Sequence, residues 1–172
     1  GPVLLTLMDR VLDALGQARA REGERLVGAM RAQIEALANL AGQAAPLIPE
    51  LVEQQRQRFL QRWQEAMGLA GSTAMPEAAQ DRALSEATAF AIRIDVAEEL
   101  TRLGSHLTEM RALLEGDGRP EGIGKRLDFL IQELHREANT LGSKSATLTL
   151  SRISVDMKVL IEQLREQVQN LE

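Results

Sequence analysis

At 172 residues the chain is long enough for one domain, or slightly more, with a substantial core. It is 44% hydrophobic but only 2% aromatic, and it has no Cys, which excludes a disulfide framework and any thiolate nucleophile or thiolate metal site. A formal net charge of −5 excludes a generic nucleic-acid coat, so any contact with RNA needs a local basic patch.

Ala, Leu, Glu, Gln and Arg dominate, the composition of long packed helices rather than sheets. From Val3 to about Ala41 apolar residues step at helical intervals: Leu4, Met8, Val11, Leu15 and Ala18, then Val27, Met30, Ile34 and Leu37. Gly16, Gly23 and Gly28 weaken this first helix and are places for a kink. Gly42, Pro46 and Pro49 break the run. A second helix is expected from Glu50 to about Leu69, with Leu51, Phe59, Leu60, Trp63 and Met67 as its apolar residues and a broad Gln/Arg surface.

Gly71-Ser72-Thr73 reads as a loop, and Pro76 suits the first turn of a third helix from Glu77 to about Leu114. Its buried side is expected to hold Leu84, Ala91, Leu100, Leu103, Leu107, Met110 and Leu114. Gly116, Gly118, Pro120, Gly122 and Gly124 make the clearest linker. A fourth helix follows from Lys125 to about Leu141, and Gly142-Ser143 either ends it or bends it. The last helix runs to about Asn170, with Ile153, Met157, Leu160, Leu164, Val168 and Leu171 spaced three and four apart like a coiled-coil seam.

The expectation is an all-α bundle of about five long helices, compact or extended, without strands or repeats. Residues 1–70 read as an N-terminal helical pair and 71–172 as the region that carries the polar clusters. No apolar stretch reaches the length of a membrane span and no secretory signal opens the chain, so a cytoplasmic protein is expected. Gly1-Pro2 resembles the scar of protease cleavage, which implies an excised fragment.

The fourth helix carries the strongest chemical pattern. On a helical wheel Leu127, Leu130, Ile131, Leu134, Ala138 and Leu141 share an arc of roughly 100°, a normal core stripe. Opposite them, Lys125, Asp128, Gln132, Arg136 and Asn139 occupy another arc of about 80°. Glu133 and Glu137 lie on the flank between the two, spaced to converge on one ion. Phe129 sits among the polar groups, where base stacking, a subunit contact and packing under a loop all remain open.

On the third helix Asp95, Glu98, Glu99, Arg102, His106 and Glu109 fall within about 100° of one another, and Glu99 and His106 nearly eclipse. A carboxylate and an imidazole so placed can ligate a divalent cation or act as base and acid beside it. Oxygen and imidazole donors suit Mg²⁺ or Mn²⁺ better than a structural zinc. Should the third and fourth helices pack antiparallel, at roughly 8–10 Å, the two clusters face each other. The bland readings stand beside these. Carboxylates four apart are usually surface charges, a lone His is usually a buried hydrogen-bonding partner, and Arg102 can simply neutralise Glu98 and Glu99. His135 falls nearer the solvent side. From the residues alone, a helical adaptor that binds protein is the default.

The runs LDFLIQELHREANTLGSKS (Leu127–Ser145) and VLIEQLREQVQNLE (Val159–Glu172) resemble the closing segment of the YicC family of bacterial proteins. IDVAEELTRLGSHL (Ile94–Leu107) and AREGERL (Ala20–Leu26) agree with it. The resemblance covers essentially the whole chain, without the strand-rich N-terminal domain of that family. It implies a metal-dependent endoribonuclease that assembles as a ring-like hexamer, with RNA as partner and neither DNA nor membrane. It also implies a working surface on the matching residues and places Asn where this chain has His135.

On that basis His106, Glu133 and Glu137 are the expected catalytic residues, and Glu99, Glu133 and Glu137 the expected ligands of Mg²⁺ or Mn²⁺. Arg21, Arg102, Lys125, Arg126, Gln132, Arg136, Asn139 and Lys144 are expected to meet RNA. A His-based mechanism through the RNA 2′-hydroxyl is the chemical variant. The functional alternative is a non-catalytic assembly or RNA-positioning domain, with the chemistry in the strand-rich domain.

Overall fold

The computed structural model describes residues 1–70, 75–116, 122–144 and 147–171, with side chains between 52 and 94 described only in part. Within these limits the chain is all helix: α1 (Pro2–Ala44), α2 (Leu47–Ala70), α3 (Met75–Glu115), α4 (Ile123–Lys144) and α5 (Leu148–Leu171). No strand occurs among the described residues. No helix is long and apolar enough to cross a membrane among those searched. The side-chain expectations for Phe59, Leu60, Trp63, Met67, Leu84 and Ala91, and the loop residues Gly71, Ser72, Thr73, Gly118 and Pro120, lie outside the described residues.

Helix boundaries follow local chemistry. Pro2 opens α1, where a missing N–H costs nothing. The helix runs through Gly16, Gly23 and Gly28 without interruption. It ends at Ala44; Ala45 keeps helical dihedrals (φ −54°, ψ −48°) and donates its N–H to the Ala41 carbonyl, but Pro46 has no N–H with which to extend the ladder. Pro49 falls in the first turn of α2 and Pro76 in the first turn of α3, both tolerated positions. Gly122, with φ +98°, supplies the left-handed backbone that leads into α4, and α4 therefore begins slightly ahead of the expected Lys125.

The core is made by the second half of α1, the second half of α3, α4 and α5. Met30, Ile34 and Leu37 meet Leu103, Leu107 and Met110 from α3, the whole Leu127-to-Leu141 stripe of α4, and Leu150, Ile153, Met157, Ile161, Leu164 and Val168 from α5. The apolar face assigned to α4 by periodicity is the buried one; on α5 Ile153, Met157, Leu164 and Val168 are buried as assigned, while Leu160 and Leu171 are only partly buried and Ile161 takes a core position. α4 packs against both α3 and α5, and α1 packs chiefly against α5 and α3. α2 packs on α3 and contributes Ile48 and Leu51 to one end of the core.

Three side-chain proximities show the direction of α4 against α3. Arg126 meets Glu109, Glu137 meets His106 and Lys144 meets Asp95, so residues ascend along one helix as they descend along the other. The two helices are antiparallel neighbours, as the geometry of the polar clusters requires.

Two points lay beyond what periodicity could tell. The first half of α1 carries an apolar face that no described residue covers: Leu4, Met8, Val11 and Leu15 are 53–61% exposed, and Ala18 is exposed too. Helical periodicity establishes that an apolar stripe exists, but not what covers it. At the other end, Gly142 neither ends nor breaks α4, which continues to Lys144. A Cβ at Gly142 would stand 2.5 Å from Ser154 Oγ and 3.2 Å from Ser154 Cβ, so glycine is there for the close approach of α5. Ser154 is itself buried and donates a hydrogen bond to the Ala138 carbonyl at 2.8 Å.

Candidate metal centre

The antiparallel pairing of α3 and α4 turns two sequence-distant clusters into one site. His106 comes from α3, and Glu133 and Glu137 come from successive turns of α4. One donor atom from each of the three lies within 4.8 Å of the others. A single divalent ion with ligand distances of about 2.0–2.2 Å spans donor atoms up to ~4.4 Å apart, so a small side-chain adjustment closes the set.

The burial of the three is graded: the Glu137 side chain is 1% exposed, that of His106 20% and that of Glu133 25%. His106 Nε2 and Glu137 Oε1 stand 3.9 Å apart, beyond hydrogen-bonding range. Accordingly, among the described residues, His106 Nε2 and both Glu137 carboxylate oxygens are buried without a hydrogen-bond partner. Burying a carboxylate uncompensated is costly, because neither water nor a donor replaces its hydration. Two unpaired carboxylate oxygens and an unpaired imidazole nitrogen, pointed at one another, are what a cation would satisfy. The residues therefore fit a divalent ion.

Glu99 stands apart from this trio. It is mostly buried on α3 and lies 3.8 Å from Arg102. Seven residues separate it from His106, about 10.5 Å along the helix axis, and it is not in the group of converging donors. The near-eclipse of the two on the helical wheel concerns angle and says nothing of this axial distance.

The residues expected to meet RNA frame the groove between α3 and α4 unevenly. Arg136 is exposed and reaches Glu133 at 4.0 Å. Lys125 is exposed on the same helix. Arg102 pairs with Glu98 along α3 at 3.1 Å, and Lys144 of α4 reaches Asp95 of α3 at 2.9 Å, closing one end of the groove. Arg126 closes the other by bonding Glu109 at 2.6 Å, with its guanidinium carbon 5.0 Å from the centre of the Phe129 ring. The hydrogen bond from Arg126 lowers the Glu109 carboxyl from its ordinary value; burial opposes it, and the charges of Arg126 and His106 add smaller contributions in the same direction as the hydrogen bond.

Gln132 lies on the α5 side instead, in a shallow groove with Ile131, His135, Ile161, Glu162 and Arg165. The Asn139 amide nitrogen lies 3.4 Å from His135 Nδ1 on the exposed surface. Arg21 is exposed on the first half of α1, next to the Glu22–Arg25 ion pair.

A helical bundle with an imidazole and two carboxylates converging in the groove of an antiparallel helix pair defines a class: an all-α protein with a His/Glu cluster that could hold a metal ion. The particular family follows from sequence comparison. Residues 44–172 match the family model described as "Endoribonuclease YicC-like, C-terminal". A protein of Haemophilus influenzae named "Probable endoribonuclease YicC" is 40% identical over 169 residues, covering 98% of this chain and 55% of that protein. One of the same name from Clostridioides difficile is 30% identical over 165 residues, covering 96% of this chain and 54% of its own length. The chain belongs to the YicC-like endoribonuclease family, and it spans about half the length of the curated relatives it matches.

Proposed function

We propose that this chain is the metal-holding part of an endoribonuclease that hydrolyses phosphodiester bonds in RNA. The observation that carries the reading is the convergence of His106, Glu133 and Glu137 with three of their donor atoms buried and unpaired. Family membership gives the substrate class, since the relatives are named probable endoribonucleases. These three residues would hold a divalent cation, and their mixed imidazole and carboxylate donors suit Mn²⁺ better than Mg²⁺. Such an ion supplies Lewis acidity toward a phosphoryl oxygen and neutralises developing charge.

The protein groups have separate tasks. Glu137, at 1% exposure, anchors the site and is out of reach of a substrate. Glu133 is the most exposed of the three and is the carboxylate positioned to take a proton from the attacking oxygen. Arg136 and Lys125, both exposed on α4, can hold the RNA backbone, while Lys144 narrows the groove through Asp95 of α3.

A second reading has its own observation. The apolar face on the first half of α1 suits assembly with further copies or with another part of a longer protein, which would make this chain a scaffold. Cleavage of a labelled structured RNA, measured with Mn²⁺ and with EDTA, separates the two. Metal-dependent cutting that Glu133→Gln abolishes, with helicity unchanged, supports the proposed centre. Undiminished cutting by that variant removes the proposed centre, whereas RNA left uncut by this chain under both conditions leaves the scaffold reading in place.

A further inference from the structure

Phe129 is one of only three Phe residues in a chain with one Trp and no Tyr, yet it is spent on a polar helix face at 46% exposure. Its surroundings are ordered rather than incidental. The Arg126 guanidinium lies over the ring at 5.0 Å, and that guanidinium is anchored on Glu109 of α3 at 2.6 Å. A carboxylate, a guanidinium and an aromatic ring thus form a braced stack across the two helices that carry the metal centre. Phe129 precedes Glu133 by four residues, about 6 Å along the axis and on nearly the same face of α4. Arg136 and Lys125 lie on the same face to its other side.

We infer that Phe129, backed by Arg126, is a stacking platform for the nucleobase next to the scissile phosphate. The inference rests on the nuclease reading above and adds a base-binding subsite to it. A single nucleotide spans the step from a phosphate at the His106–Glu133–Glu137 cluster to a base on Phe129. The exposed part of the ring offers apolar area to the flat face of a base, while Arg126 keeps the ring from turning inward and polarises the stack. Aromatic stacking accepts every base, because each has a π-face, so the subsite selects unpaired nucleotides rather than a sequence. Glu109 and Arg126 are positioning residues, acting through the ring.

The test uses the protein with a short single-stranded RNA that carries one 2-aminopurine, placed at successive positions, and a matched RNA with an abasic nucleotide there. EDTA keeps the RNA intact during binding. The expected result is fluorescence quenching of 2-aminopurine in one register. Phe129→Leu should abolish the quenching and weaken binding about 5- to 100-fold, whereas Phe129→Trp should retain both. The abasic RNA should bind wild type and Phe129→Leu equally.

Quenching and affinity unchanged in Phe129→Leu overturn the inference while leaving the nuclease reading intact. So does a change of oligomeric state in Phe129→Leu without loss of quenching, which would make the ring a subunit contact. A wild-type protein that neither binds nor cuts RNA overturns both.

Discussion

Glu137→Gln separates stability from function at the proposed centre. In the wild-type protein a carboxylate with 1% exposure has neither oxygen paired among the described residues, and His106 Nε2 beside it is unpaired there as well. An unsatisfied buried polar group costs roughly 1–3 kcal/mol, and a charged one more. Gln keeps the shape, removes the charge and brings an N–H₂ donor toward His106 Nε2, 3.9 Å from Glu137 Oε1 in the wild type. Recovering ~1–2 kcal/mol without metal corresponds to a rise in Tm of about 2–8 °C for a chain of this size.

Metal reverses the order. Mn²⁺ at a hundred times its Kd stabilises the wild type by about 2.7 kcal/mol, or ~5–11 °C, and should do little for the variant. Thermal unfolding followed by circular dichroism, with Mn²⁺ and with EDTA, reads both effects without an activity assay. An equal Mn²⁺ increment in Glu137→Gln, or a variant less stable than wild type in EDTA, refutes the assignment of the unpaired atoms to a cation.

Gly142→Ala should destabilise by roughly 1–3 kcal/mol, because the new Cβ meets Ser154 Oγ at 2.5 Å and threatens its bond to Ala138; urea unfolding measures it. Gly104→Ala, with nothing within 4 Å of the new Cβ, should instead gain up to ~1 kcal/mol from helix propensity, and the same sign for both would refute the close-approach argument. Glu109 should titrate below an ordinary Glu, because its folded pKa is lowered by Arg126. The Arg126 contact is therefore fully stabilising above the unfolded carboxylate pKa and is lost as pH falls through the lower folded value. Carboxyl carbon NMR checks the midpoint, and Arg126→Gln should raise it.

The outcome of the apolar patterns shows what periodicity conveys. The α4 stripe from Leu127 to Leu141 was legible because six apolar residues at helical spacing fit only one buried face. The stripe from Leu4 to Leu15 has the same spacing and is exposed, since spacing does not supply a neighbour. Glu137 illustrates the same limit from the polar side. Its place on the flank between the apolar and polar faces was clear, but near-complete burial required α3 to lie against that flank.

The sequence by itself determined the helices, their punctuation by Pro and Gly, the core stripes of α4 and α5 and the two polar clusters, because these depend on local propensity and on a period of 3.6 residues. The family was legible in it as well, through the long run from Leu127 to Ser145. Only the tertiary structure decided that His106 joins Glu133 and Glu137 while Glu99, on the same helical face, does not. It also decided that Arg126 leans on Phe129 and that Gly142 faces Ser154. Each of these is a relation between helices, set by the antiparallel register of α4 against α3 and α5. That register arises from packing whole faces together, which no residue's own neighbours in sequence encode.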